Sequence, residues 1–387
     1  MNSTNISSSA FSDSKSHYKI LDALRGVAAI LVVMFHIMET FTGGDNKKQI
    51  INHGYLAVDF FFVLSGFVIG YAYDDRWNKM SLKGFFKRRL IRLHPMIIMG
   101  MIIGAITFYW QDSAWFPNIA STPVWKMILV MFIGFTLLPV PISLDIRGWT
   151  EMHPLNGPAW SLFFEYIANI LYALFVRKFS NKVLAFFVFL FGIAFIHLAV
   201  TKGEVIGGWS IDQKDPVTGY WELYIGFVRL LYPFFAGLLL SRIVKPGAFN
   251  NAFLWSSLLL IVVLSIPRIG GAEHIWMNGL YVALCVILIF PFIVYVGASG
   301  ELKTNSASRL AKFLGDISYP LYIIHYPLIY MFTGWVANHN ATFEQSIPRV
   351  VLLLVSSIVI AYSGFKFYDV PVRKWLTKRF MPAGKNS

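Results

Sequence analysis

The sequence is poor in charge and in cysteine. Charged residues make up 14% of its 387 residues, whereas about a quarter of the residues in a soluble domain are charged. Its one cysteine, Cys285, excludes a disulfide framework within the chain. Cys/His clusters with metal-ligand spacing and GxGxxG loops are missing as well, so nothing in the sequence indicates a metal centre or a bound dinucleotide.

Long apolar runs are what the sequence has in abundance. Hydrophobic residues make up 56% of the chain, and its mean hydropathy is +0.59. A helix needs roughly 20 mostly apolar residues to cross a membrane. Eleven windows approach that length, and they predict an all-α integral membrane protein, a polytopic bundle of helices. The windows cover residues 20–41, 54–73, 94–110, 124–142, 159–176, 183–200, 222–241, 252–267, 276–297, 316–336 and 349–367.

The distribution of Lys and Arg predicts how the bundle is oriented, because these residues accumulate in cytoplasmic loops. The basic run 76–92, loop 301–313 and the basic residues within 373–385 are expected in the cytoplasm, and loop 143–158 is expected outside. One net crossing is then needed between residues 93 and 142, where two windows lie. One of the two is predicted to be re-entrant or interfacial, which leaves about ten full spans and both termini in the cytoplasm.

Two polar tails flank the predicted membrane domain of residues 19–375. Residues 1–18 are rich in serine and predict a disordered N-terminal tail, and residues 376–387 are predicted to form a basic C-terminal tail. The net charge of +13 is scattered over loops without a nucleic-acid-reading module. We therefore expect the chain to be embedded in the lipid bilayer and do not expect it to bind nucleic acid.

Arg25 and His36 stand inside the first apolar window, where a charged residue costs roughly 2.5–3.5 kcal/mol and often marks a functional site. Arg25 alone could be a snorkelling anchor, and His36 alone could be a hydrogen-bonded structural group. Their spacing, however, brings the two side chains within about 20° of one helix face and about 16 Å apart along the axis. A shared face indicates that both residues look into the bundle.

Further polar groups lie within or beside other windows. Ser65 and the glycine after it interrupt an aromatic run, which suits close helix packing as well as a site. Three arginines recur before Pro95, and they suit a cytoplasmic loop as well as phosphate binding. An intramembrane glutamate and a second histidine at membrane depth are harder to explain by packing. The candidate residues of this set are Asp59, Ser65, Arg88, Arg89, Arg92, Glu165, Arg229, Tyr319, Tyr322 and His325.

Together these stretches resemble acyltransferase family 3, the membrane-bound O-acyltransferases of O-antigen and exopolysaccharide type, some of which acylate small molecules. The family's first motif, a basic residue followed by ten residues and a histidine, is met by Arg25 and His36. One departure is Asp369 in DVPVR, where the family often has glutamate, although aspartate can still pair with Arg373. The remaining motifs are met by FFVLSGF (61–67), RRLIRLHP (88–95), WSLFFE (160–165) and SYPLYIIHYP (318–327).

The resemblance implies an acyltransferase of the class that transfers groups other than aminoacyl groups. The group would most often be acetyl, and it would pass from acyl-CoA to a hydroxyl. The acceptor would be a carbohydrate, a lipid-linked glycan, or another cell-envelope or small molecule. The membrane would be the cytoplasmic (inner) membrane of a bacterium. Acetyl-CoA is expected as a donor substrate on the cytoplasmic side, and neither a permanently bound cofactor nor a metal is expected.

The same resemblance implies roles for the candidate residues. His36 is expected to be the general base for the acceptor hydroxyl, because an imidazole titrates near neutral pH. Glu165 or Asp59 would orient its ring, as a carboxylate does in hydrolase triads. The expected substrate-binding residues are Arg25, Arg88, Arg89 and Arg92 for the phosphates of CoA, and Ser65, Arg229, Tyr319 and Tyr322 for the oxyanion, with His325 at the depth of His36.

Two alternatives stay open from the residues alone. His36 could remove a proton for direct transfer, or it could carry the acyl group as a covalent intermediate. The buried Arg, His and Glu residues also suit a proton-coupled transporter or an acyl-group translocator. Against a transporter, no pair of Gly/Pro-broken windows occupies matching positions in two halves of the chain.

Overall fold

The described residues, 17–211, 216–244 and 247–381 of the computed structural model, are mostly helical. No β-strand occurs among them, and pairing of extended residues is limited to isolated bridges in loops. The predicted all-α architecture is therefore confirmed. The helices are α1 (Lys19–Thr42), α2 (Ala57–Tyr73), α3 (Leu82–Thr107), α4 (Val124–Phe135), α5 (Ala159–Leu174), α6 (Asn181–Lys202), α7 (Pro216–Ile243), α8 (Ala252–Ser265), α9 (Ile275–Leu284), α10 (Phe290–Ala298), α11 (Asn305–His339), α12 (Phe343–Ser363) and α13 (Val370–Phe380).

Eight helical segments in the described ranges are long and apolar enough to cross a membrane. Helix α4 has 12 residues and α8 has 14, so they rise about 18 and 21 Å. Both are shorter than the hydrocarbon core of about 30 Å. Helix α4 falls in the segment 93–142, where the sequence predicts one re-entrant or interfacial element. Helix α8 is shorter than the window 252–267 predicts, and the number of full spans stays a prediction.

Two segments that the charge pattern assigns to loops are helical instead. The arginine motif lies in α3, whose first turn is capped by the hydroxyl of Ser81. Helix α11 begins at Asn305, where the hydroxyl of Thr304 caps the first turn, although 301–313 is predicted as a loop. An N-cap hydroxyl starts a helix without any apolar residue, which is why windows of hydropathy miss these first turns.

The last long helix reaches beyond the predicted membrane domain. A π-helical segment, Gly364–Asp369, joins α12 to α13, and the composite helix ends at Phe380. The C-terminal tail is predicted to begin at residue 376, and its first residues are therefore helical. Residues 382–387, like residues 1–16 of the predicted N-terminal tail, lie outside the described part of the chain.

Two helix pairs form the centre of the bundle: α1 packs along α11, and α2 packs along α7. Glycine permits the closest approach. A Cβ added to Gly66 of α2 would lie 2.0 Å from the Phe234 carbonyl oxygen, and one added to Gly237 of α7 would lie 2.0 Å from the Val63 carbonyl oxygen. The packing interpretation of the small residues in α2 therefore holds for Gly66.

Gly66→Ala is expected to destabilise the folded bundle. The new methyl group meets backbone of α7 that cannot move aside without separating the two helices, and overpacking of this kind costs about 1–3 kcal/mol. Gly270→Ala is the matched control, because nothing lies within 4 Å of a Cβ at Gly270. Thermal unfolding of both purified variants in detergent should give a lower Tm for Gly66→Ala alone. Equal melting temperatures would contradict the close contact.

Candidate active site

Helix α1 carries both residues of the first motif. Arg25 donates a hydrogen bond from Nη1 to Asp22 Oδ1 at 3.1 Å, one turn earlier. His36 follows about 16 Å further along the axis. The side chains of Arg25 and His36 are 21% and 19% exposed, while most residues between them are buried. The helix thus presents one partly open polar group near each end.

His36 lies in a cluster of polar and aromatic rings. Its Nδ1 contacts the carboxylate of Glu39, one turn further along α1. The imidazole stacks on His325 of α11 with ring centroids 5.6 Å apart, and the ring of Tyr326 meets it edge-on at 4.7 Å. Residues of two helices therefore fix the His36 ring. A carboxylate partner favours the tautomer with the proton on Nδ1, which leaves the lone pair on Nε2.

His325 is fully buried behind His36. Its Nδ1 donates to a backbone carbonyl of the preceding turn at 3.0 Å, and its Nε2 has no partner among the described residues. Pro327, two residues later, has no amide hydrogen to donate to the Ile323 carbonyl. That oxygen accepts a hydrogen bond from Asn156 Nδ2 at 2.9 Å instead. The loop before α5 is thereby tied to α11 at the level of the two histidines.

A cavity of about 540 Å³ opens beside His36. Small-molecule sites typically have volumes of roughly 300–1,000 Å³. The wall is mainly aromatic, with carboxylate and guanidinium groups between the rings. The lining includes His36 and Glu39 from α1 and, from other elements, Trp115, Trp149, Trp160, Trp209, Tyr322, Tyr326, Tyr330, Glu151, Glu204, Arg229 and Arg268.

Asp59 and Arg229 form a buried ion pair at the cavity. Arg229 Nη2 lies 2.7 Å from Asp59 Oδ2, and the two side chains are 2% and 0% exposed. The same guanidinium donates to the Tyr55 carbonyl at 2.9 Å and to the Gly207 carbonyl at 3.1 Å, and it lies 5.0 Å from the centre of the Trp160 ring. Arg229 thus ties the loops before α2 and after α6 to α7.

Glu165 and Arg89 form a second ion pair, which is not part of the cavity lining. Arg89 Nη2 donates to Glu165 Oε1 at 2.8 Å, and Ser65 Oγ donates to the same oxygen at 3.1 Å. Arg25 lies within electrostatic range of this pair and of Arg92, which is exposed. Motif residues from α1, α2, α3 and α5 therefore meet near the Arg25 end of α1.

The two candidate tyrosines of α11 have different surroundings. Tyr322 lines the cavity, and its hydroxyl shares a hydrogen bond of 2.8 Å with Ser161. Tyr319 donates to the Leu93 carbonyl at 2.7 Å and does not line the cavity. Of the two, Tyr322 is the one that can reach a molecule in the cavity.

The loop before α5 contributes a buried charged pair. Glu151, which is 5% exposed, accepts a hydrogen bond from Tyr330 Oη at 2.5 Å, and its Oε2 lies 3.3 Å from Arg147 Nε. The Arg147 guanidinium lies over the Tyr330 ring, 3.5 Å from the ring centroid. Burial raises the pKa of Glu151 to about 7, against the opposing effects of Arg147 and Tyr330.

Comparison with known families agrees with the family motifs found in the sequence. A family model described as an acyltransferase domain matches residues 18–365, nearly the whole described chain. The chain belongs to this acyltransferase family. The resemblance to acyltransferase family 3 and the enzyme class, both inferred from the motifs, are confirmed.

Three curated relatives show how far the likeness extends. The acyltransferase is 34% identical to Protein 2 in picA locus of Rhizobium radiobacter over 165 residues, 40% of this chain and 80% of the relative. It is 24% identical to Peptidoglycan O-acetyltransferase OatA of Listeria monocytogenes over 393 residues, 93% of this chain and 56% of the relative. It is 24% identical to Acyltransferase MdmB of Streptomyces mycarofaciens over 326 residues, 80% and 78% of the two chains. The chain thus spans little more than half of OatA, and no solved structure matches it.

The candidate residues of this acyltransferase fall into two groups. His36, Arg229 and Tyr322 line the cavity, with Asp59 paired to Arg229 and His325 stacked on His36. The second group lies toward the opposite end of α1 and lines no part of the cavity. Its members are Arg25, Ser65, Arg89, Arg92, Glu165 and Tyr319, and Arg88 immediately precedes Arg89 on α3.

The structure corrects the predicted partner of His36. The sequence predicts Glu165 or Asp59 in that role, but each is paired with an arginine, and Glu39 contacts the imidazole instead. A buried carboxylate needs a cation beside it, and the two arginines satisfy that need. Residues three apart on a helix already meet, so the spacing of His36 and Glu39 was the sequence signal for this contact.

Two further residues of the site carried little sequence signal. Glu151 lies in the segment 143–158, which the sequence predicts only as an outer loop, yet residues 151–160 are buried. Tyr326 belongs to the last motif, but its ring matters because it lies between His36 and Tyr330. Both residues gain their importance from contacts between segments far apart in the sequence.

Glu151→Gln is expected to weaken the dependence of stability on pH. The pKa of Glu151 is raised from 4.5 to about 7 in the folded chain. The folded state therefore binds more protons between these values, and the free energy of unfolding falls as pH rises through them, by up to about 3 kcal/mol. The Tm difference between about pH 5 and about pH 8 should shrink in Glu151→Gln. It should persist in Glu301→Gln, whose side chain is exposed; an undiminished difference in Glu151→Gln would contradict the raised pKa.

Proposed function

We propose that this acyltransferase transfers an acetyl group from acetyl-CoA, bound at the cytoplasmic face, to a hydroxyl group of a carbohydrate in the cavity beside His36. One observation carries the proposal: α1 holds an imidazole with a carboxylate partner at the cavity wall, and an arginine near its opposite end. The imidazole supplies a base for the acceptor, and the arginine supplies positive charge for the donor.

The proposed orientation follows from the basic segments. The run 76–92 and both termini would lie in the cytoplasm, and the chain would cross a bacterial cytoplasmic membrane about ten times. In this orientation the Arg25 end of α1 faces the cytoplasm. The cavity would lie toward the outer side, because residues of loops 143–158 and 203–211 contribute to its wall. Donor and acceptor would then approach from opposite faces of the membrane.

The phosphates of the donor are proposed to bind at the arginine cluster. Arg92 is exposed and Arg25 is partly exposed, so both can contact a pyrophosphate arriving from solution. Arg88 precedes Arg92 by four residues on α3, which places the two arginines on one face of that helix. Arg89 is buried in an ion pair, which suits it to shape the entrance. The separation of about 16 Å between Arg25 and His36 suits the reach of a pantetheine arm.

The cavity suits a carbohydrate acceptor. Four tryptophans of its lining offer flat faces against which the apolar face of a sugar ring can pack. Glu204 is paired with Arg268, and Arg229 is paired with Asp59. Because these charges already neutralise one another, an uncharged, hydroxyl-rich acceptor fits better than a strongly anionic one. Among the relatives, OatA of Listeria monocytogenes is named a peptidoglycan O-acetyltransferase.

The proposed chemistry is direct transfer. His36 Nε2 takes the proton of the acceptor hydroxyl, and Glu39 at Nδ1 stabilises the imidazolium that forms. The hydroxyl oxygen bonds to the thioester carbonyl carbon, the C–S bond breaks, and the proton passes from His36 to the CoA thiolate. Tyr322, which lines the same cavity, is the hydroxyl proposed to donate to the oxyanion.

His36→Ala is expected to abolish acetyl transfer, because it removes the base. Glu39→Gln should lower the rate by about 10²-fold, since a neutral amide cannot stabilise the imidazolium. Mass spectrometry of ester-linked acetyl groups on envelope glycans, in a deletion strain that carries each variant, measures the effect. The amount of each variant in the membrane fraction is the control. Near-normal acetylation by His36→Ala would contradict the role of the imidazole.

Arg25→Ala is expected to weaken the binding of acetyl-CoA by about tenfold, the value of one charge-assisted hydrogen bond. Equilibrium binding of labelled acetyl-CoA to the purified protein measures it. Arg309→Ala is the matched control, because Arg309 is an exposed arginine in the first turns of α11. Equal donor affinity of Arg25→Ala and the wild type would refute the phosphate site at this end of α1.

A further inference from the structure

A carboxylate shapes the loop that precedes α5. The Asp145 side chain accepts backbone hydrogen bonds from Arg147 at 2.9 Å, from Gly148 at 3.0 Å and from Thr150 at 3.1 Å. The following residues, 151–160, are all buried. Side chains in this segment are therefore held in place by the loop and by the bundle together.

Arg147 is fixed by the same loop and leaves Glu151 incompletely paired. Its Nε and Nη2 donate to the Pro154 carbonyl at 3.0 and 2.8 Å, and the guanidinium lies over the Tyr330 ring. Its Nε lies 3.3 Å from Glu151 Oε2, but the one hydrogen on Nε is directed to Pro154. The pair has attraction between its charges without a hydrogen bond between its members.

Glu151 keeps one oxygen that accepts no hydrogen bond from any residue in the described ranges. Its Oε1 accepts from Tyr330 Oη, whereas its Oε2 has no such partner. The side chain is almost wholly buried and lines the cavity. A buried carboxylate in this condition is costly unless a further donor arrives, and a hydroxylated molecule in the cavity is such a donor.

Glu151 and His36 are separated along the cavity wall by two aromatic rings. The Tyr326 ring lies 4.7 Å from the His36 ring and 4.5 Å from the Tyr330 ring, and Tyr330 bonds Glu151. Gly157 packs against both tyrosines, since a Cβ there would lie 2.9 Å from the Tyr330 hydroxyl. An acceptor that places one hydroxyl at His36 and another at Glu151 therefore lies across both tyrosine rings.

We propose that Glu151 determines specificity: its carboxyl group hydrogen-bonds a hydroxyl of the sugar acceptor other than the one that is acylated, and so selects which hydroxyl reaches His36. This inference rests on the proposed transfer to a carbohydrate. A buried group that pairs with a hydroxyl discriminates strongly against a pose that leaves it unpaired. Substituting Glu151 should therefore let other hydroxyls of the sugar be acylated. If Glu151 were merely structural, its substitution would lower the yield of ester without changing which hydroxyl carries the acetyl group.

The position of the acetyl ester on the envelope glycan tests the assignment. The full chain, as wild type and as Glu151→Gln, is expressed in a strain that lacks the gene, and ester positions are read by NMR after mildly acidic extraction. Glu151→Gln is expected to give a mixture of positional isomers, with selectivity reduced about tenfold. Glu344→Gln, an exposed glutamate outside the cavity lining, is the matched control and should keep the wild-type pattern.

An unchanged isomer pattern in Glu151→Gln, with or without a lower yield, overturns the assignment. If Glu151→Gln does not accumulate in the membrane, Glu151→Asp decides, because it keeps the charge and retracts the oxygens by one methylene group. Wild-type cells without ester-linked acetyl groups overturn the proposed function, and this inference with it. Ester groups that are present in the wild type and vanish in His36→Ala support the proposed function. The isomer pattern then tests only the role of Glu151 in selecting the hydroxyl.

Discussion

The pairing of buried arginines with carboxylates is the interaction on which the arrangement of this acyltransferase depends. Asp59 of α2 binds Arg229 of α7, and Arg89 of α3 binds Glu165 of α5. Away from water an unpaired charge costs several kcal/mol, so each pair dictates which helices are neighbours and at what depth they meet. Neither pair contains His36. The imidazole contacts Glu39 instead. Among the described residues, no arginine forms an ion pair with this carboxylate.

The motifs of the family accordingly lie in two places, one near each end of α1. Near the Arg25 end of α1, residues from four helices form a charged cluster outside the cavity. Near the His36 end, the last motif supplies a stacked imidazole and the tyrosines of the cavity wall. Because one continuous helix joins the two ends, the distance between them is set by helical rise rather than by loops. A rigid spacing of this kind suits the proposed reaction, in which donor and acceptor approach from opposite faces of the membrane.

Much of the fold could be predicted from the sequence, because hydropathy depends only on local composition. The long helices match the apolar windows closely, and helical geometry alone brings Arg25 and His36 to one face. The short helices α4 and α8 lie within predicted apolar windows but end before those windows do. The capped first turns of α3 and α11 were assigned to loops, because capping is invisible to hydropathy. The partner of His36 and the burial of Glu151 could not be predicted, since both depend on which distant segments meet.

Pro327 has a consequence for how such a chain can change over generations. It withholds a backbone amide, so the buried Ile323 carbonyl relies on Asn156. Exchanging the proline first would restore the ordinary helical bond and make the asparagine dispensable. Exchanging the asparagine first would leave a buried carbonyl unpaired. Two positions far apart in the sequence therefore share a one-way evolutionary path, in which the proline must be lost before the asparagine.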